Sequence, residues 1–173
     1  MLTPALAQSL HVLGITPALL QARGLVACAE ATQLTVADTN EEGREFLLEP
    51  AAASAWQAMK AAAARDGVAL CLVSAFRSVG RQTEILRDKL AAGVLVEEAL
   101  RWVAPPGYSE HHSGRAIDIG APGEPALDES FETTAAFAWL QAHAGAHGFT
   151  LSYPRGNRSG YGYEPWHWCF RAA

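Results

Sequence analysis

The chain has 173 residues, a length that fits one domain better than two. Half of the residues are apolar and 18% are charged, enough apolar surface to offset the entropy of ordering, which excludes a disordered chain. Thirteen basic against eighteen acidic side chains give a net charge of -5, the wrong sign for a protein that holds nucleic acid through its phosphates.

In the first thirty residues Pro4, His11 and Pro17 interrupt the apolar positions. The basic start, unbroken apolar stretch and cleavage site of a secretory signal are therefore not found there. No run approaches the ~20 apolar residues that span a bilayer. The expectation is a chain without a membrane span, monomeric, and cytoplasmic as written, with the periplasm or cell envelope as the alternative. Leu10, Leu13, Leu19 and Leu20 point to a helical segment over residues 1–34 that packs on a main domain over residues 35–173.

From Pro50 to Arg65, Ala51, Trp56, Met59, Ala62 and Ala63 recur at roughly helical spacing, and Asp66-Gly67 stops the pattern. Val68 to Phe76 is apolar and partly β-branched, as a buried strand is. Gln82 to Ala92 and Val94 to Val103 carry helical patterns parted by Gly93, and Pro105-Pro106-Gly107 breaks the second. The alternation in Arg115 to Ile119 predicts a strand with Ile117 and Ile119 on one face and Ala116 and Asp118 on the other. Phe131 to His147 reads as a helix closed by Gly148, and Phe149 to Tyr153 as a strand. In Trp166 to Phe170 the two tryptophans and Phe170 alternate with His167 and Cys169. Helices in blocks between separated short strands predict an α+β single domain, with helices packed on a small, mainly antiparallel sheet.

Cys28, Cys71 and Cys169 form an odd set with no Cys-x-x-Cys pair, so neither a disulfide framework nor a zinc ribbon is indicated. The chemistry gathers elsewhere. Ser109-Glu-His111-His-Ser-Gly114-Arg-Ala116-Ile-Asp118 sets a histidine and a carboxylate at a short interval, and both are good zinc ligands. Alone, the pair equally describes a loop histidine and a solvated strand carboxylate. Near the C-terminus Glu164-Pro-Trp-His167-Trp adds a third donor. Three protein ligands leave the fourth tetrahedral position open, as a catalytic zinc requires, and Glu164 is suitably placed to exchange protons with water. His112 adjoins a ligand candidate; His143 and His147 lie one helical turn apart and read as surface or packing residues.

Together these segments resemble the zinc D-alanyl-D-alanine carboxypeptidases of the VanY type, within the LAS peptidases. That group shows Ser-x-His-x-x-Gly-x-Ala-x-Asp followed by Glu-x-x-His, and both motifs stand here as Ser109 to Asp118 and Glu164 to His167. Ser74-Ala-Phe76-Arg77-Ser78 with Gln82 looks like the group's Ser-x-Tyr-Arg-Ser and following glutamine, and Gly160-Tyr-Gly162-Tyr163 leads into the last motif as in relatives. The resemblance covers roughly residues 35 to 170. It implies a Hedgehog/DD-peptidase-like fold and one Zn2+ held by His111, Asp118 and His167. It also implies Glu164 as general base, Arg77 on the scissile carbonyl or substrate carboxylate, and Gln82 and Ser109 on the peptide end. The implied substrates are peptidoglycan stem peptides or muropeptides, losing a C-terminal D-alanine. The alternatives are an L,D-carboxypeptidase acting on tetrapeptides, a D,D-dipeptidase, and a non-catalytic zinc-stabilised module that binds cell-wall peptides. Phe76 stands where relatives often have tyrosine, and Cys169 where many carry arginine; alternation puts this cysteine on the face of His167, where the readings are a thiolate competing for zinc and, more commonly for a lone buried cysteine, a small inert core residue.

Overall fold

The computed structural model describes residues 3–171; the two domain stretches expected from sequence each run two residues past this range at their outer ends. The chain opens with two short helices, α1 (Pro4–Val12) and α2 (Pro17–Ala22), each begun by a threonine cap followed by proline at the first position. A hairpin follows, β1 (Thr35–Thr39) and β2 (Glu45–Leu48), antiparallel around a turn in which Asn40 accepts from the Arg44 and Gly43 amides. Sequence periodicity does not predict this hairpin, because its strands are short and only partly buried.

Helix α3 (Pro50–Arg65) has the bounds read from sequence, with Pro50 at its first turn and Asp66 ending it. It buries Trp56, Met59 and Ala63 against the main sheet. That sheet is four-stranded and antiparallel, in the order β3 (Cys71–Ser74), β4 (Ala116–Gly120), β6 (His167–Phe170), β5 (Phe149–Leu151). One face of β4 and β6, carrying Ile117, Ile119 and Trp168, joins Trp56, Phe137 and Leu140 in the core; Asp118 and His167 alternate onto the other face.

Several predicted boundaries move. The strand expected over 68–76 is β3 alone, four residues long. Helix α4 (Val79–Ala91) starts three residues earlier than its periodicity, where the Ser78 hydroxyl accepts from the Arg81 amide at 3.0 Å. The helix expected over 94–103 contracts to one turn, α5 (Val96–Ala99). The helix expected over 131–147 divides into a 3-10 turn (Glu129–Thr133), α6 (Ala135–His143) and a second 3-10 turn (Ala144–His147), with Gly145 weakening the last turn. Trp139 packs near the His143 and His147 rings, at centroid distances of 4.8 and 6.3 Å, so both histidines pack rather than ligate.

A second apolar cluster lies beside the main core, where Leu10, Leu13, Ile15 and Leu20 from the N-terminal segment meet Leu86, Leu100 and Val103. From there the chain runs across the loops of the main domain. The Cys28 amide donates to the Gly107 carbonyl and the Ala31 amide to the His112 carbonyl, both at 2.8 Å. No helix among the described residues is long and apolar enough to cross a membrane.

Gly114 marks the tightest crossing. Its φ is +67°, and a β-carbon there would sit 3.0 Å from the Glu49 amide nitrogen and 3.1 Å from the Leu34 side chain, while the Gly114 carbonyl accepts from that same amide at 2.9 Å. Gly114→Ala is expected to destabilise the fold by about 1–3 kcal/mol, read as a lowered denaturant midpoint with unchanged slope; an unaltered midpoint would show that the crossing relaxes freely.

Candidate metal centre and active site

The strand register builds the site. Asp118 and His167 are direct cross-strand partners on β4 and β6, so two side chains 49 residues apart stand side by side. His111 reaches them from a 3-10 turn (Glu110–Ser113) that Gly114 ends in the left-handed conformation. His111 Nε2 lies 3.2 Å from Asp118 Oδ2, and His167 Nδ1 lies 3.0 Å from Asp118 Oδ1. Donor atoms of all three residues fall within 4.8 Å of one another, all three residues are buried, and no other such trio of His, Cys, Asp or Glu occurs among the described residues. Tetrahedral zinc with bonds of about 2.0–2.2 Å needs donors roughly 3–3.5 Å apart, and each oxygen of Asp118 has one imidazole nitrogen at that separation.

The outer bonds select the free nitrogens. His111 Nδ1 donates to the Ala75 carbonyl at 2.7 Å, leaving Nε2 with its lone pair toward Asp118. His167 is held in the opposite sense: its Nε2 faces Glu110 Oε2 at 3.1 Å, which leaves Nδ1 as the donor. Ser152 and Arg171 complete the bonding of that Glu110 carboxylate, and Tyr153 stacks on the His167 ring at 4.6 Å. Glu110, Ser152, Tyr153 and Arg171 receive no role in the sequence reading. The available signal is the carboxylate adjoining His111; its partner His167 lies 57 residues away.

Charge in the cluster favours a cation. Burial works against the Asp118 carboxylate, but His111 and His167 outweigh it and hold its pKa far below the carboxylate range. Burial also opposes charge on Glu110, yet the bonds from His167 and Ser152 and the charge of Arg171 bring it to about 2. Burial keeps His111 neutral in spite of Asp118, as a nitrogen ligand must be. For His167 without a metal, burial is overcome by hydrogen bonds to Asp118 and Glu110, which push it up to about 10; a cation bound at Nδ1 would take the place of that proton. Two nitrogens and one carboxylate with this polarity fit a divalent ion of zinc's preferences.

Glu164 stands beside the cluster, its Oε2 3.9 Å from His167 Nδ1. Burial raises its carboxyl to about 7, with Asp118 and Glu110 pushing the same way and His167 and Arg77 opposing. Arg77 approaches from the end of β3, with Nη2 3.9 Å from Asp118 Oδ2. The guanidinium is fixed by Ser74 Oγ at 3.0 Å and Gln82 Oε1 at 3.1 Å. Gln82, expected on the peptide end, is among the residues that line the cleft. It is fully buried, and its other amide end donates to the Ala104 carbonyl at 2.6 Å, so it positions Arg77. Ser109 lines the cleft, and its hydroxyl makes no cap bond to the turn it precedes.

His112 and Cys169 do not join the donor trio. His112 Nε2 accepts from the Gly107 amide at 3.1 Å, so Nδ1 carries the hydrogen and donates to the Arg77 carbonyl at 2.6 Å, pinning the arginine loop. Burial, with Glu110 adding to it, raises the Cys169 thiol to about 12, so it stays protonated. The whole arrangement forms the floor of a cleft of about 550 Å³ that also takes in Trp102, Leu127, Tyr161 and Trp166.

Comparisons with known proteins agree with this geometry. The family model VanY, described as D-alanyl-D-alanine carboxypeptidase, matches residues 45–173. A D-alanyl-D-alanine carboxypeptidase of Enterococcus faecalis is 33% identical over 117 residues, 62% of this chain and 42% of that protein. The chain spans less than half the length of the curated relatives it matches over 117 to 119 residues. Among solved structures, the LdcB LD-carboxypeptidase is similar at 33% identity and TM-score 0.73, covering 82% of this chain and 69% of that one. The vancomycin-resistance D,D-pentapeptidase VanY in complex with Zn(II) is similar at 28% identity and TM-score 0.62, covering 86% and 87%.

Two outcomes follow from the site's electrostatics. Glu110→Gln, which keeps the shape but removes the charge behind His167, is expected to weaken zinc affinity roughly 10- to 100-fold in chelator competition; an unchanged constant would reduce Glu110 to packing. Glu164→Gln is expected to stabilise the chelator-treated protein. Below the usual 4.5 both folded and unfolded chains hold the proton and the substitution changes little. Above about 7 the folded chain must bury a carboxylate, a cost of about 3 kcal/mol by linkage. The gain in melting temperature is therefore absent near pH 4 and largest near pH 8; a gain largest in acid would contradict it.

Proposed function

The chain belongs to the VanY D-alanyl-D-alanine carboxypeptidase family, and from that membership we propose that it is a zinc-dependent hydrolase that removes the C-terminal D-alanine from peptidoglycan stem peptides. One observation carries the reading. Glu164 beside His167 and Arg77 beside Asp118 flank the donor trio within one cleft, an acid–base group and a fixed cation about one metal site.

Held by His111, Asp118 and His167, zinc supplies Lewis acidity toward water and toward the scissile carbonyl. The remaining work belongs to the chain. Glu164 takes the proton of the attacking water and returns it to the departing amine, and the burial that favours its protonated form suits a group that must hold that proton between the two steps. The Arg77 guanidinium, held by Ser74 and Gln82, meets the negative charge that develops on the carbonyl oxygen. Ser109 offers its hydroxyl to the peptide from the cleft wall. A non-catalytic peptide-binding module would have no use for an acid–base carboxylate and a braced arginine at the metal.

A second reading, L,D-carboxypeptidase action on tetrapeptides, draws support from the LdcB LD-carboxypeptidase, whose identity and TM-score exceed those of the VanY–Zn(II) structure. Zinc-loaded protein incubated with defined tripeptide, tetrapeptide and pentapeptide muropeptides separates the two by product mass. Pentapeptide shortened to tetrapeptide supports the first reading, tetrapeptide shortened to tripeptide the second, and intact substrates overturn both. In the same assay Glu164→Gln is expected to keep its zinc and lose ~10²–10⁴ in kcat; equal turnover would remove Glu164 from the mechanism.

A further inference from the structure

The cleft is larger than the chemistry at its floor requires. At about 550 Å³ it falls in the ~300–1,000 Å³ range of pockets that enclose a drug-sized ligand, well beyond a terminal D-alanine and its neighbour. Six large apolar side chains are exposed among the described residues, and two of them, Trp102 at 44% and Leu127 at 47%, line this cleft. Leu127 is also the one non-glycine residue with positive φ, 55°, among the described residues, and such backbone strain at a residue lining a cleft accords with a functional role.

Trp102 is held in place from beneath. Its six-membered ring lies directly over Gly162, where a β-carbon would collide with it. The Gly162 amide donates to the Arg101 carbonyl at 2.7 Å, tying the tryptophan's own segment to the loop that leads into Glu164. Arg23 braces both loops from behind: Nη1 donates to the Leu100 carbonyl and Nε to the Ser159 carbonyl, each at 2.8 Å, and the guanidinium lies 4.6 Å from the centre of the Tyr161 ring. An exposed indole with a fixed underside and an open face toward a peptide cleft is an apolar platform that needs no reordering on binding.

We propose that Trp102 is a specificity-determining residue, its indole face gripping the substrate residues that precede the scissile bond, with Leu127 as a second apolar contact in the same cleft. The inference rests on the carboxypeptidase reading and deepens it: the indole supplies affinity for peptide residues beyond the terminal pair. Gly162 then has a part that its place before the last motif does not reveal, since it makes room for the indole.

The test compares a stem pentapeptide with free D-Ala-D-Ala, using zinc-loaded protein. Binding is measured by calorimetry in the Glu164→Gln background and turnover in the active one. Trp102→Ala is expected to weaken pentapeptide binding and to raise its KM about 10-fold, leaving affinity for the dipeptide within 2-fold and kcat nearly unchanged. Trp102→Phe should recover most of the loss, and Gly162→Ala, which keeps the tryptophan but displaces it, should reproduce part of it. Equal effects on both peptides, or none on either, would overturn the inference while leaving D-alanine release by the unsubstituted protein intact. Failure of the unsubstituted protein to release D-alanine would overturn the functional reading and the inference with it.

Discussion

The Asp118 carboxylate, buried between two imidazoles, is the interaction on which the rest of the site depends. Its two oxygens face different partners, Oδ2 toward His111 and Oδ1 toward His167, so it is the hinge of the donor trio. A buried charge is tolerated only when it is paired and hydrogen-bonded. Here the strand pairing meets that demand directly, because the β4–β6 register sets Asp118 opposite His167. A slip of one residue would send Asp118 to the core face, where Ile117 and Ile119 now lie. Register, core packing and ligand geometry are therefore one constraint seen at three scales.

Around that centre, charge is arranged by paired opposites. Glu110 lies behind His167 and Asp118 in front, so the ring that must present Nδ1 is fixed in both tautomer and tilt. Arg77 is oriented by two neutral acceptors, Ser74 and Gln82, and faces the Asp118 carboxylate at 3.9 Å. Glu164 is the exception: buried, close to two other carboxylates, and with its pKa raised. Catalytic carboxyls elsewhere are poised in this way, by an environment that would rather have them neutral.

Much of this was legible in the sequence, and what was not has a physical cause. Helix α3 announces itself through Pro50 and the Asp66-Gly67 stop, which are local signals. The alternation of β4 and β6 assigned each face, and the donor residues lie on the face that was expected of them. The β1–β2 hairpin escaped because four- and five-residue strands with mixed burial leave little periodicity to read. The hold of Gln82 on Arg77 is not legible in the sequence, because a glutamine's two ends find their partners only in three dimensions, here Arg77 and Ala104. Glu110 was passed over for the same reason: its partners Ser152, His167 and Arg171 lie 42 to 61 residues along the chain.

The brace at Arg23 carries one more consequence. This residue lies outside the stretch matched by the family model, yet its bonds end on the Leu100 and Ser159 carbonyls, in the two segments that bring Trp102 and Tyr161 to the cleft. The entropy of holding those segments together is spent as the chain folds, not at the moment of encounter. On the carboxypeptidase reading, discrimination among peptides then arises from how well each one fits a wall already set, and a change in the first helices, remote from any chemistry, would be felt as altered selectivity before it was felt as altered rate.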